Sequence, residues 1–243
     1  MHKPLINGCV TARSGENPSP MKCAAVCGRG NGMCFSRRQS LSRTTGSHRL
    51  PGAACWALLP GVASRCLFFS LLGASCTVLD YSTLQLESEK VVAEREGYAI
   101  EIVQADMTKP FPFEGESFDC IFHPVSNCYV EEVEPVWHEC FRVLKPGGVL
   151  LAGVDNGINY LFKEDSAALT RPLPFNPLRD EELYRTSVEN GDGIQFSHTT
   201  EEQLRPLLRT GFRLLDLYED TNGYGVLEAY RVPTFLAFLA QKP

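Results

Sequence analysis

The chain has 243 residues, of which 44% are hydrophobic and 21% charged. At about 150 residues per domain this is one full domain with an appendage, and the composition excludes a wholly disordered or collagen-like chain. The formal net charge of -6 gives no overall electrostatic reason to bind nucleic acid.

The average conceals a break near residue 68. Residues 1–68 hold nine Lys or Arg and one acid, a charge of +8, which leaves 14 bases and 28 acids, or -14, for the remainder. Six of the ten cysteines also precede residue 69. This first stretch has neither helical nor strand periodicity and is expected to be poorly ordered. An organelle transit peptide would explain its Arg and Ser content, but Met21 to Gly46 lacks the large apolar residues of an amphipathic face. Cys23, Cys27 and Cys34 are separated by three and six residues, without the paired short knuckles of a zinc site, so no metal is expected. The apolar run from Cys55 to Leu79 contains Pro60, Arg65 and glycines, which favours a buried segment over a membrane span. No secretory leader is evident, and the cysteines are expected to be thiols in a cytoplasmic protein.

From residue 69 the pattern becomes regular. Cys76 to Asp80 is a β-branched apolar run closing on an acid, and Ser82 then caps a polar helical stretch to Gly97. Ile100 to Gln104 alternates as a second strand leading to Asp106, and Phe118 to Phe122 is a third. Pro135 to Leu144 reads as a helix stopped by Lys145-Pro-Gly-Gly148, with a strand from Gly148 to Ala152. A polar insertion follows to about Ser197, either a lid over a pocket or a plain connection. Thr199 and Glu202 then make a capping-box pattern for a helix ended by Gly211. Phe212 to Tyr218 and Thr234 to Gln241 are expected to pair antiparallel at the sheet edge across a polar turn, Glu219 to Gly225. Strands alternating with helices predict an α/β, Rossmann-like doubly wound, mostly parallel sheet with a C-terminal antiparallel hairpin and an irregular N-terminal segment.

The ordered set Val78-Leu-Asp80-Tyr-Ser82, Gln104-Ala-Asp106-Met107, Phe118 to Tyr129 and Val143-Leu-Lys-Pro-Gly-Gly-Val-Leu150 resembles class I S-adenosylmethionine-dependent methyltransferases. The likeness is to small-molecule enzymes of the ubiquinone/menaquinone-biosynthesis-like superfamily and covers roughly residues 69–243. It implies S-adenosylmethionine as cofactor. Asp80 would accept from the ribose hydroxyls beside Tyr81, Asp106 from the adenine amino group, and the Met107 backbone would face the ring. Capping the following turn is the competing role of Asp80, and a surface acid ahead of a loop is that of Asp106. His123 is the candidate catalytic residue, as a general base or as a group orienting the methionine end of the cofactor; a packed structural imidazole is the alternative. Ser126 and Asn127 can donate to a carboxylate, and Cys128 is a small residue that can simply be buried. Trp137 and His138 are expected to pack and to face solvent, respectively. The segment after the third strand lacks the Asn- or Asp-Pro-Pro-aromatic pattern of nucleic-acid amino-methylating enzymes, so a small-molecule substrate is expected, with no nucleic acid and no membrane span as partner.

One motif departs. Where the resembling family has a Gly-Gly-Gly-Gln-Gln cofactor loop, this chain has Gly61-Val62-Ala63-Ser64-Arg65, so Gly61 alone keeps the pattern. The strand expected ahead of it, near Ala53 to Leu59, is interrupted by Pro60 on this reading. Glycine codons read one base late encode residues including Val and Ala, which points to residues before about 69 as an out-of-frame or mis-spliced segment. The expected division is therefore 1–68, an aberrant segment, and 69–243, a methyltransferase-like domain. The expected function is methyl transfer to a small molecule. A catalytically silent relative with impaired cofactor binding is the alternative, and an NAD-dependent oxidoreductase fits less well because the phosphate-cradling glycines are missing. The methyl acceptor and the oligomeric state are left open.

Overall fold

The computed structural model describes residues 54–58, 65–71, 73–162, 168–190 and 193–243. The strands are β1 (Ala54–Leu58), β2 (Ser75–Asp80), β3 (Ile100–Gln104), β4 (Phe118–Pro124), β5 (Leu144–Asp155), β6 (Arg213–Asp220) and β7 (Phe235–Gln241). The helices are α1 (Arg65–Leu71), α2 (Thr83–Glu96), α3 (Glu134–Val143), α4 (Glu181–Asn190), α5 (Thr200–Thr210) and α6 (Gly225–Ala229). All seven strands join one sheet in the order β3-β2-β1-β4-β5-β7-β6. The first five in that order are parallel, and β7 runs antiparallel to both β5 and β6.

One expectation is corrected at the start of the sheet. Pro60 does not interrupt the first strand, because β1 ends at Leu58 and pairs in full register with β2, Ala54 opposite Ser75 through Leu58 opposite Leu79. The sheet therefore includes residues ahead of the composition break, and β1 lies between β2 and β4, a place where both ladders fix an extended backbone. The helix preceding β2 is also present, as α1.

The central strands are buried on both faces, while β3 and β6 at the edges are partly or largely exposed. On β4 a register irregularity between Phe118 and Cys120 leaves Phe118 and Ile121 on one face, packed with Trp137 and Leu207. Cys120 and Phe122 face the other way, among Phe69, Val78 and Leu86. Double burial explains the unbroken apolar runs of β2 and β7, since a strand covered on both sides has no polar face to alternate. Trp137 of α3 is fully buried and donates from Nε1 to the Gln203 carbonyl of α5 at 2.8 Å, which ties the two helices across the core. His138, two-fifths enclosed, faces solvent as expected.

Helix starts follow their caps. Ser82 Oγ accepts from the Gln85 amide at 3.4 Å at the head of α2, and Gly97 ends it in the left-handed region. At α5 the Thr199 hydroxyl accepts from the Glu202 amide while the Glu202 carboxylate accepts from the Thr199 amide, so the capping box forms as the sequence pattern requires. Downstream of β6 the outcome differs from expectation. The connection to β7 is longer than a polar turn and holds α6, while β6 and β7 pair antiparallel at the sheet edge as expected, with β7 next to β5. The insertion after β5 also contains α4 and two single-turn 3-10 segments, Ile158–Leu161 and Pro177–Arg179.

Candidate functional site

Strand order reverses between β1 and β4, and in open α/β sheets the ligand crevice lies outside the carboxyl ends of the strands at such a reversal. Asp80 closes β2 at this edge. Its register partner on β3 is Gln104, so Asp106 stands two residues past the neighbouring strand end. The Ala105 amide donates to the Asp80 carbonyl at 3.1 Å and Gln104 Nε2 donates to the Tyr81 carbonyl at 3.1 Å, which lock the two strand ends together. The structure thus brings Asp80, Tyr81, Asp106 and Met107 to one edge.

Both acids also do the turn-capping work. Asp80 Oδ1 accepts from the Ser82 amide and Asp106 Oδ1 from the Thr108 amide, each at 2.8 Å. An ionised carboxylate has about four acceptor sites, so one capping bond leaves each acid able to bind a ligand. Burial raises the Asp80 carboxyl above its ordinary range, and the amide bonds partly offset this. Met107 packs its side chain against the main core. Gly61 lies outside the described residues.

His123 sits elsewhere than in an open cleft. It shares a strand face with Ile121, is 0% exposed, and meets Trp137 edge-on at 5.2 Å between ring centroids. Asn127 Nδ2 donates to Gln203 Oε1 at 2.7 Å, which leaves Asn127 Oδ1 as the acceptor facing His123 Nε2 at 2.7 Å. Nε2 therefore carries the proton, and the unprotonated Nδ1 has no hydrogen-bond partner. Burial pulls the ring down to about 4, so it is neutral at neutral pH. This geometry is that of the packed imidazole, holding the turn after β4 against α5.

That turn is strained. Val125 has φ 28°, an outlier for a β-branched residue, and its amide donates to the Gly153 carbonyl at 2.7 Å. Ser126 is buried and donates from Oγ to the Pro124 carbonyl at 2.7 Å. Cys128 Sγ lies 3.3 Å from the Val125 carbonyl, and burial pushes its thiol up to about 12, so it is no thiolate. The insertion closes over this turn: the Phe196 amide donates to the Cys128 carbonyl at 2.7 Å, and His198 Nε2 approaches the Asn127 and Val130 carbonyls at 3.1 and 2.8 Å.

Asp155, at the carboxyl end of β5, was not anticipated from the sequence. It is 8% exposed and accepts from the Gly157 amide and from Asn159 Nδ2 at 2.7 Å. Asn159 Oδ1 in turn accepts from Asn222 at 2.9 Å, and Asn222 Oδ1 from the Thr234 hydroxyl at 2.7 Å. Burial raises the Asp155 carboxyl to about 6 despite these donors. Tyr160 stacks on Phe175 at 5.0 Å and donates to Gln195 Oε1 at 3.0 Å. The available signal was that Val154-Asp155 ends a strand with an acid, as Leu79-Asp80 does.

A parallel sheet reversed at β1/β4 with an antiparallel β7 inserted beside β5 is the sheet topology of class I S-adenosylmethionine-dependent methyltransferases, the family to which the chain is similar. Residues 59–152 match the family model for the methyltransferase domain. The chain is 36% identical over 165 residues to the uncharacterized methyltransferase YbaJ of Bacillus subtilis, covering 65% of this chain and 64% of that protein. It is 38% identical over 92 residues to the ubiquinone/menaquinone biosynthesis C-methyltransferase UbiE of Bartonella henselae, covering 37% and 35% respectively. The chain thus spans less than two thirds of the length of these relatives. An S-adenosylmethionine dependent methyltransferase from Mesorhizobium loti has the same fold, with TM-score 0.63 and 20% identity over 79% of this chain and 92% of that one. Among the described residues, no helix is long and apolar enough to cross a membrane.

Proposed function

We propose that this protein transfers a methyl group from S-adenosylmethionine to a small molecule. The observation that carries the reading is the pairing of β2 with β3, which sets Asp80 and Asp106 on adjacent strand ends beside the β1/β4 reversal. The donor set fits the group. Asp80 is half-buried with acceptor sites left for the ribose hydroxyls, and Asp106 can take the adenine amino proton. Met107 and Tyr81 flank the base and sugar, Gly61 is assigned to the loop approaching the donor, and Ser126 lines the turn after β4. When bound, S-adenosylmethionine supplies an electrophilic methyl on a good leaving group, so the protein's task is mainly alignment of the acceptor. His123, enclosed and neutral, acts in this reading as a positioning residue for residues 125–128.

A small acceptor is favoured over nucleic acid because residues 69–243 carry a charge of -14, the wrong sign for a phosphate backbone. The cytoplasm is the compartment that suits its many thiols. Isothermal calorimetry with S-adenosylmethionine, S-adenosylhomocysteine and NADH is the test. Micromolar binding of the first two supports the reading, no nucleotide binding identifies a silent relative, and binding of NADH alone overturns it.

A further inference from the structure

Resting on that reading, we infer that Asp155 receives the acceptor's proton, and that the acceptor is a protic nucleophile, a hydroxyl or amine carried on an aromatic body. Four observations converge on this carboxylate. It lies at the end of β5, two residues past the Pro124–Gly153 register pair, and so beside the strained turn that follows β4. It is nine-tenths buried, and no Lys or Arg forms an ion pair with it among the described residues. An unpaired acid is costly to enclose, and a plain turn cap would be served as well by Asn or Ser.

The third observation is the direction of its hydrogen bonds. The Thr234 hydroxyl donates to Asn222, Asn222 to Asn159, and Asn159 to Asp155 Oδ2, so residues from the β6–β7 connection and from the insertion after β5 form one chain of donors ending at a single carboxylate. Such a chain fixes both the side-chain orientation and the basic, proton-accepting form. Last, the groups beside it suit an aromatic acceptor. The titratable neighbours are the Cys128 thiol and the Tyr160 hydroxyl, both held protonated by burial, which leaves Asp155 as the acceptor of a proton. Tyr160, close enough to Asp155 to interact with it electrostatically, is stacked on Phe175 and brings an aromatic pair to this side of the carboxylate.

The step balances without a further reactant. The acceptor's O–H or N–H lone pair forms the new bond to the methyl carbon as the carbon–sulfur bond breaks, and its proton passes to Asp155. The sulfonium becomes a neutral thioether, and the carboxylate becomes a carboxylic acid.

The experiment uses the full chain with S-adenosylmethionine and two probe series, substituted catechols and aryl amines, with products located by mass spectrometry and NMR. Methylation at oxygen or nitrogen is expected. Asp155→Asn should bind S-adenosylmethionine as the wild type does, bind 4-methylcatechol at least about tenfold more weakly by calorimetry, and lose about 10²-fold or more in transfer rate. Asn159→Ser, which keeps the carboxylate and its backbone donor, should fold and should raise the Asp155 titration point seen by carboxyl-carbon NMR of the free protein. Transfer at carbon, transfer undiminished in Asp155→Asn, or no transfer to either series by protein that binds S-adenosylmethionine overturns the inference. Failure of the wild type to bind S-adenosylmethionine removes the proposed function itself and this inference with it.

Discussion

Glu89 is the clearest case in which the fold dictates a measurable response to pH. It lies on the inner face of α2 between Leu86 and Ala93, is 3% exposed, and its Oε2 has no hydrogen-bond partner. Burial, with the nearby Asp80 charge adding to it, raises this carboxyl from 4.5 to about 7. A group whose folded value is raised binds a proton in the folded state that the unfolded chain has already released. Its stabilisation is complete below 4.5 and is lost as pH rises through 7. The difference of about 2.5 pH units, at 1.36 kcal/mol each, sets an upper limit of about 3 kcal/mol. Glu89→Gln is nearly isosteric and has no charge to bury. Urea unfolding of both proteins from pH 4.5 to 8 should give curves that nearly coincide at the acid end, with the variant more stable by up to about 3 kcal/mol at pH 8. His123 and Asp155 titrate in both proteins, so their contributions cancel in the comparison. A difference that does not change with pH, or a wild type more stable at pH 8, would refute the assignment of an uncompensated buried acid.

Asp80→Asn should weaken S-adenosylmethionine binding by about tenfold or more in calorimetry, since a charge-assisted hydrogen bond contributes about 1.5–3 kcal/mol. Unchanged affinity would show that Asp80 only caps its turn. Thr199→Ala removes one half of the α5 capping box and should cost about 1 kcal/mol in denaturant unfolding. Gly148→Ala would set a Cβ 2.8 Å from the Lys145 carbonyl oxygen and 3.3 Å from that of Asp119, both main-chain atoms. The backbone must shift, at a cost of about 1–3 kcal/mol, and thermal melting should show a lowered midpoint, whereas an unchanged midpoint would mean that β5 yields freely.

The elements legible in the sequence were those whose environment is uniform along their length. β2 and β3 each close on or just before an acid, and their ladders run in register through Asp80 and Gln104, so pattern and pairing agree. The capping box of α5 was legible because its bonds are local. β1 was misread for an opposite reason: Pro60 looked like an interruption, yet it falls past Leu58, and what holds residues 54–58 extended is their position between two other strands. α4 escaped notice because its residues are largely exposed and offer no apolar face to count. α6 is five residues long, too short to carry a period.

The same distinction separates the site residues. Asp80 and Asp106 announce themselves as acids at strand ends, whereas the burial of His123 on the side of Ile121 follows from β4 running on to Pro124, past the Phe122 at which the sequence pattern closed it. What alternation could not supply was the partner: Asn127 and Gln203 fix the ring's tautomer, and Gln203 comes from a helix far along the chain. Asp155 has the same local signature as Asp80, an acid ending a β-branched run, but its significance depends on Asn222 and Thr234, which reach it only because β7 inserts antiparallel beside β5. A parallel β7 would carry Thr234 to the other end of the sheet and leave the donor chain without its first member. The inverted strand that distinguishes this sheet from dinucleotide-binding ones therefore also builds the polar wall behind the acceptor acid, and a single topological choice accounts for both features.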